Sequence, residues 1–156
     1  MKRVKKKRIV VAVSGGMDPI HVGHVRLFEA AKKLGSELVV ILNNDNWLRK
    51  KKGKVFMRQD ERKEIVQALR AVDRVIYTFH PHNPKDMSVS KELLRLKPDI
   101  FANGGDRKEG KIPSGEEVAC RKIKCRMVFR VGRGGKVQSS SWLLGKYATA
   151  VNGKGS

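Results

Sequence analysis

The sequence lacks any long hydrophobic run. Apolar residues make up 40% of its 156 positions, but they come in short blocks, far below the roughly 18 consecutive residues that a membrane-spanning helix needs. The basic segment 1–8 precedes an apolar block at 9–13, which is only about half as long as the core of a typical signal peptide. This block runs into Ser14-Gly15-Gly16 without a cleavage-like site. The pattern predicts a buried first strand rather than a targeting segment.

Cysteine is also scarce. The two cysteines, Cys120 and Cys125, supply no disulfide framework, and no second pair at zinc-ligand spacing accompanies them. We therefore expect two ordinary thiols in a protein of the reducing cytoplasm.

Acidic residues are few, with 15 Asp and Glu against 35 Lys and Arg, so the net charge is +20. Six of the first eight residues are basic, and 49–54 form a second basic cluster. Such a field attracts nucleic acid, acidic membrane, or nucleoside triphosphates and phosphorylated metabolites. Charge alone does not choose among these partners, and a basic proteome or a solvated face would give the same excess.

What the sequence does contain is a regular alternation of apolar blocks and helical patterns. Unbroken apolar blocks predict strands at 9–13, 38–42, 75–78, 100–102 and 127–131. Apolar residues at helical spacing predict helices at 23–34, 58–71, 88–96, 114–124 and from Ser139 through Tyr147. The alternation indicates an α/β fold, a single Rossmann-like, doubly wound parallel sheet of about five strands with helices on both faces.

Several local features follow from the same patterns. We expect a polar, basic loop at 43–56, a capping box of Ser114 and Glu117, and an inward-facing Ile65. We also expect one domain over 1–156, with a mobile basic arm at 1–7 and a mobile tail at 152–156.

The loop after the first strand is the first place to look for a site, because ligands of such sheets bind outside the carboxyl ends of the strands. It contains His21 and His24, three residues apart at the start of a helix, and so on one side of it. Imidazoles there can donate hydrogen bonds to phosphate oxygens and stabilise charge that builds in a displacement. Zinc could also use two imidazoles at this spacing, but no third Cys or His is nearby.

The segment 15–24 resembles the Gly-x-Phe-Asp-x-x-His-x-Gly-His signature of the cytidylyltransferase-like nucleotidyltransferase family. Met17 stands where that family has Phe, and the matching positions are Asp18, His21, Gly23 and His24. Segment 43–54 is similar to the family loop that ends in phosphate-binding lysines. Segments 58–62 and 68–73 are similar to its Arg-rich helix start and Val-Asp ending, and 139–141 stands at the family's Ser/Thr-rich helix start. The likeness covers about 8–148.

The resemblance implies a set of functional residues. As catalytic residues it implies His21, His24, Lys54 and Arg58. As nucleotide-binding residues it implies Gly15, Gly16, Met17, Asp18, Gly23, Lys50, Lys51, Arg62, Asn103, Gly104, Asp106, Ser139, Ser140 and Ser141. Which of Lys50, Lys51 and Lys54 closes over the triphosphate stays open. A solvated loop for the lysines and simple N-capping for the serines are the alternative interpretations.

The segment 104–106 bears on the choice of nucleotide. Its Gly-Gly-Asp sequence is similar to that of sugar-phosphate adenylyltransferases of heptose metabolism, whereas alcohol-phosphate cytidylyltransferases tend towards Gly-Asp-Asp. ATP is therefore favoured slightly over CTP. The segments 107–113 and 136–138 depart from both groups.

The resemblance predicts transfer of AMP or CMP from ATP or CTP to a phosphorylated sugar or polyol, with release of pyrophosphate. No side-chain metal site is expected, and Mg²⁺ would enter on the triphosphate. Relatives are commonly dimers, so a homodimer is expected. The alternative is a nucleic-acid-binding protein on a degenerate transferase scaffold, which the net charge of +20 leaves open. The intact histidine motif argues against this alternative, as does the lack of a strand face rich in aromatic residues.

Overall fold

A computed structural model describes residues 2–105, 107, 110, 112–132 and 138–153. The strands are β1 (Val10–Gly15), β2 (Glu37–Leu42), β3 (Arg74–Tyr77), β4 (Ile100–Gly104) and β5 (Arg126–Val131). The helices are α1 (Val22–Lys32), α2 (Asp45–Lys52), α3 (Gln59–Gln67), α4 (Ser90–Leu96), α5 (Ser114–Lys122) and α6 (Ser140–Asn152). Within the described residues, no helix is both long and apolar enough to cross a bilayer.

The five strands form one parallel sheet in the order β3-β2-β1-β4-β5. The central strand β1 pairs with β2 on one side, where Val11 lies opposite Leu38, and with β4 on the other, where Val11 lies opposite Ile100. The predicted Rossmann-like sheet is confirmed.

Two apolar layers cover the sheet, because neighbouring residues of a strand point to opposite faces. Val11 and Val13 pack on one face with residues of α1 and α3, including Phe28 and Val66. Ala12 lies on the other face. There it packs with four buried residues of α4 and α5 or beside them, namely Val89, Leu93, Ala119 and Cys120. Helices on both faces explain why the strand blocks are apolar throughout rather than alternating.

The sheet order places a crevice at its centre. From β1 the chain moves outward to β2 and β3, then returns to the other side of β1 with β4 and β5. The loops that leave β1 and β4 therefore diverge at the carboxyl edge, where ligands of open α/β sheets bind.

The structure corrects the prediction of a continuous loop at 43–56, since this segment contains α2. Asn44 caps this helix by accepting a hydrogen bond from the Trp47 amide at 3.0 Å, and Gly53 ends it in the left-handed conformation at φ 79°. Leu48 is the one buried side chain among the residues of α2. The basic segment therefore contains one buried apolar residue, Leu48. A single such residue does not produce a periodic pattern in the sequence.

Two other local predictions are also wrong. Helix α5 is capped at Pro113 without a side-chain hydrogen bond, and Glu117 instead accepts one from the Gly110 amide at 3.1 Å. Ile65 is 39% exposed, and its neighbour Val66 is the buried residue. Of the predicted tail at 152–156, Asn152 is the last residue of α6, and 154–156 lie outside the described residues.

Candidate active site

The loop between β1 and α1 is held by Met17 and Asp18. Met17 is 2% exposed and packs in the core beneath the loop. The two carboxylate oxygens of Asp18 accept hydrogen bonds from the backbone amides of Phe56 and Met57, at 2.7 and 2.6 Å. Both residues were predicted to bind nucleotide. In the structure Asp18 fastens the loop to the segment before α3 and Met17 anchors it in the core, and neither side chain lines the cavity at the carboxyl edge of the sheet.

His21 and His24 form the start of α1. The Nδ1 atom of His21 accepts a hydrogen bond from the Gly23 amide at 3.0 Å, and the Nδ1 atom of His24 accepts one from the His21 amide at 3.1 Å. Their ring centroids lie 3.8 Å apart. Because each Nδ1 is an acceptor, the proton of each neutral imidazole resides on Nε2. Both rings line one cavity, so the pair offers two N–H donors there without carrying charge.

Burial keeps the two imidazoles neutral. It lowers the pKa of His24 to about 3, with further lowering by the positive charges of His21 and Lys52. The pKa of His21 is lowered by burial first and by Lys52 second. At neutral pH both rings are therefore hydrogen-bond donors rather than cations.

Lys52, the last residue of α2, brings positive charge to the same cavity. Partial burial lowers the pKa of its amine, while the Asp18 carboxylate raises it. The sequence analysis missed Lys52 and named Lys50, Lys51 and Lys54. Lys50 turns away and donates to Asn83 Oδ1 at 2.7 Å, and the other two lysines are exposed and do not line the cavity.

A signal for Lys52 was present in the sequence. It lies four residues after the buried Leu48, so both side chains share one side of α2. Recognition of this helix would have favoured Lys51 and Lys52 over Lys50, but it would not have separated these two.

The start of α6 forms another wall. Ser139 precedes the helix and Ser140 is its first residue, and both line the cavity. The Ser140 hydroxyl donates to the Pro19 carbonyl at 2.7 Å, which ties α6 to the histidine loop. Ser139 makes no capping hydrogen bond through its side chain. Ser141 is exposed and lies outside the cavity lining.

The ends of β4 and β1 form the floor. Gly15, Gly23, Asn103 and Gly104 line the cavity, whereas Gly16 does not, and a methyl group there would lie 3.0 Å from Leu48 of α2. A methyl group at Gly104 would lie 2.8 Å from Leu27 Cδ1 and 3.0 Å from the Val131 carbonyl oxygen, so a larger residue there would force its neighbours to shift. The predicted nucleotide ligand Asp106 lies outside the described residues.

Neither Arg62 nor Arg58 lines the cavity, so the prediction that they bind phosphate stays a prediction. Arg62 is 1% exposed, and its guanidinium is used inside the framework. It donates to three backbone carbonyls at 2.6–2.9 Å, those of Met57, Gly16 and Asn43. It also donates to the side chain of Asp45, at 2.6 Å from Oδ1. The side chain of Arg58 is 75% exposed and pairs with Asp60. Arginines four apart on a helix can thus have unrelated roles when only one faces the core.

The cavity that these elements enclose has a volume of about 310 Å³. Its cationic side chains are Arg26, Lys52 and Arg107, of which sequence reasoning named none. Among the described residues that line it there is no Asp or Glu. Two helix N-termini, neutral imidazole donors and cations without carboxylates make an environment that suits a polyphosphate.

No group of three or more His, Cys, Asp or Glu in the described part of the chain could hold a metal ion.

Comparison with known proteins agrees with this geometry. Residues 12–130 match the family model described as cytidylyltransferase-like. The chain is 39% identical to an FAD synthase of Pyrococcus abyssi, over 76% of this chain and 71% of that protein. It is 36% identical to the bifunctional protein HldE of Coxiella burnetii over 70% of this chain, which spans only 22% of HldE.

A solved structure is also similar. The lipopolysaccharide core biosynthesis protein of Thermoplasma volcanium superposes with a TM-score of 0.65 and 29% sequence identity, over 82% of this chain and all of that one. The matched residues 12–130 include both histidines, most of β1, all of β2 through β4 and most of β5. The chain therefore belongs to the cytidylyltransferase-like family and is a nucleotidyltransferase.

Proposed function

We propose that the protein transfers the adenylyl group of ATP to the phosphate of a small phosphorylated acceptor and releases pyrophosphate. The observation that carries this proposal is the pair of neutral imidazoles, His21 and His24, at one cavity with Lys52 and the start of α6. The similarity to FAD synthases supports ATP as the donor. It also supports flavin mononucleotide as the first acceptor to test, because FAD consists of that phosphate joined to an adenylyl group.

The reaction forms one P–O bond and breaks another. An oxygen of the acceptor phosphate attacks the α-phosphorus of ATP, the bond to the bridging oxygen breaks, and pyrophosphate leaves with the electron pair. A phosphate monoester has its second pKa near 6, so at neutral pH the attacking oxygen is already largely deprotonated. The chain then needs no general base, in keeping with the absence of Asp and Glu from the described cavity lining.

The chain's own contribution is positioning and electrostatic stabilisation. The Nε2–H groups of His21 and His24 would donate to the α-phosphate as charge shifts towards the leaving oxygen. Lys52 and the amides at the start of α6 would bind the outer phosphates. Mg²⁺ bound to the triphosphate would neutralise part of its charge, and these side chains and amides would hold that complex rather than coordinate the ion.

Pyrophosphate release tests the proposal. The purified protein would be incubated with Mg²⁺, either ATP or CTP, and one acceptor at a time: flavin mononucleotide, a heptose phosphate or glycerol phosphate. We expect release with ATP and one of these acceptors. Release with CTP alone would overturn the choice of donor, and no release from any pair would overturn the proposed activity.

A further inference from the structure

The cavity has a cation on the side opposite to α1, at Arg107. This residue pairs with Glu116 of α5, a helix that packs on the face of the sheet opposite to α1. Its Nη1 atom lies 3.3 Å from Asn103 Oδ1 and 3.6 Å from Glu116 Oε2. The side chain is 40% exposed and lines the cavity. The proposed adenylyl transfer, in the form derived from the histidine pair, uses neither Arg107 nor Glu116.

Glu116 is an unusual partner because it is a buried acid. Its side chain is 2% exposed, and Oε1 accepts a hydrogen bond from the Val89 amide at 3.2 Å. Its Oε2 atom accepts no hydrogen bond from the described residues, although it is buried. Burial raises the pKa of the Glu116 carboxyl, and the charge of Arg107 opposes that rise. A buried carboxylate in this position is costly unless a cation stands beside it.

The two side chains of this ion pair are held differently. Val89 and the body of α5 fix the carboxylate, whereas the guanidinium is at the cavity wall and has five N–H donors. One of these donates to Asn103, and the 3.6 Å ion pair is too long to be a hydrogen bond. If Arg107 served only to neutralise Glu116, its side chain would not need to lie at the cavity. Instead, Glu116 holds the guanidinium of Arg107 from the protein interior, and this cation faces a cavity that suits phosphate.

We infer that Arg107 binds a phosphate group of a substrate on the α5 side of the cavity, and that Glu116 is the residue that positions it. The inference rests on the proposed function and deepens it, since it gives the site a second phosphate-binding side chain in addition to Lys52. The phosphate belongs either to ATP or to the acceptor. Separate binding measurements distinguish these two sources.

The experiment measures the dissociation constants of MgATP alone and of flavin mononucleotide alone by calorimetry. The variants are Arg107→Gln, Glu116→Gln and the double substitution. Arg121→Gln is the matched control, because it removes the same charge from an exposed position on α5. Glu116→Gln keeps the size of the side chain and the acceptor for Val89. Thermal unfolding of each variant establishes that it folds.

We expect Arg107→Gln to weaken one of the two ligands about tenfold or more, since hydrogen bonds to charged groups contribute that much. Glu116→Gln should weaken the same ligand by a smaller factor and have no further effect when Arg107 is already Gln. The control should bind both ligands like the unchanged protein. If the Glu116 variant does not fold, Arg107→Gln alone decides whether that residue binds phosphate.

Unchanged binding of both ligands by Arg107→Gln would overturn the inference. Tighter binding by Glu116→Gln, or an effect that adds to that of Arg107→Gln, would overturn the positioning role. These constants do not depend on turnover. A protein that releases no pyrophosphate but loses phosphate affinity with Arg107→Gln would refute the proposed function and leave the inference standing. Failure of the unchanged protein to bind either ligand at millimolar concentration would overturn both.

Discussion

His24 accepts the backbone N–H of His21 through Nδ1 at 3.1 Å, so one catalytic candidate fixes both the other's backbone and its own tautomer. Gly23 does the same for the His21 ring at 3.0 Å. The result is two Nε2–H donors at the start of one helix, placed by bonds within four residues. The local sequence alone therefore organises the centre of the proposed site.

The buried neutral state of His24 predicts how stability depends on pH. Its pKa is about 3 in the folded protein, against an ordinary value of 6.5. The unfolded chain therefore binds a proton below pH 6.5 that the folded protein rejects, and stability falls as pH decreases from 6.5 towards 3. Between pH 7 and 5 we expect this residue to cost up to about 2 kcal/mol of the free energy of unfolding.

Urea unfolding at pH 7 and pH 5 checks this, with His24→Asn as the test variant because its amide oxygen can replace Nδ1 as an acceptor. The variant should lose less stability on acidification than the unchanged protein. His82→Asn, at an exposed histidine, should behave like the unchanged protein. Equal losses in all three proteins would mean that His24 titrates normally.

The position of Lys52 predicts a difference among the lysines of α2. Lys52→Ala should lower kcat/KM for ATP by about tenfold or more, through loss of a charge-assisted contact with phosphate. Lys50→Ala should have little effect, because that side chain points to Asn83. Steady-state kinetics with varied ATP decides the matter, and a larger effect of Lys50→Ala would favour the opposite face of the helix.

Arg62 and Arg58 predict a difference in stability rather than in substrate binding. Arg62→Ala removes the partner of Asp45 and of three carbonyls, and should cost about 3–5 kcal/mol or prevent folding. Arg58→Ala removes only an exposed ion pair and should cost less than about 1 kcal/mol. Denaturant unfolding compares them. Equal stability, with a raised KM for ATP in Arg62→Ala, would support the phosphate-binding role predicted from the sequence.

The sheet and the histidine pair could be predicted from the sequence because their signals are local. Apolar blocks such as 9–13 and 38–42 report a sheet covered on both faces, and the spacing of His21 and His24 reports one helix side. The two helix layers and the strand order are then among the few topologies that the rules for connecting strands and helices allow.

The roles of charged side chains could not be predicted in this way. Lys52 differs from Lys50 only by its direction on α2, and Arg62 differs from Arg58 only by burial. Glu116 meets Arg107 through the packing of α5. Each of these roles depends on which side of a helix faces the interior. A run of basic residues contains too few apolar residues to indicate that side.

The basic arm predicts whether the excess charge matters for turnover. Residues 2–8 are exposed, and the arm lies next to the sheet end opposite the cavity. Deletion of 1–7 should therefore leave pyrophosphate release nearly unchanged. If the charge serves nucleic acid instead, the deletion should weaken RNA binding and reduce its salt slope by up to about one unit per lost contact. Binding must be compared near physiological ionic strength, where exposed charges are screened beyond about 8 Å.

The most direct test follows the α-phosphorus of ATP. With ATP labelled there, and with Mg²⁺ and flavin mononucleotide or another phosphorylated acceptor, the label should enter the acceptor product while unlabelled pyrophosphate is released. His21→Ala and His24→Ala should each fold and lower this transfer about a hundredfold or more, because each removes a donor worth about 3 kcal/mol in the transition state. Transfer at the unchanged rate by both folded variants, or release of inorganic phosphate with no labelled acceptor, would contradict nucleotidyl transfer at this histidine pair.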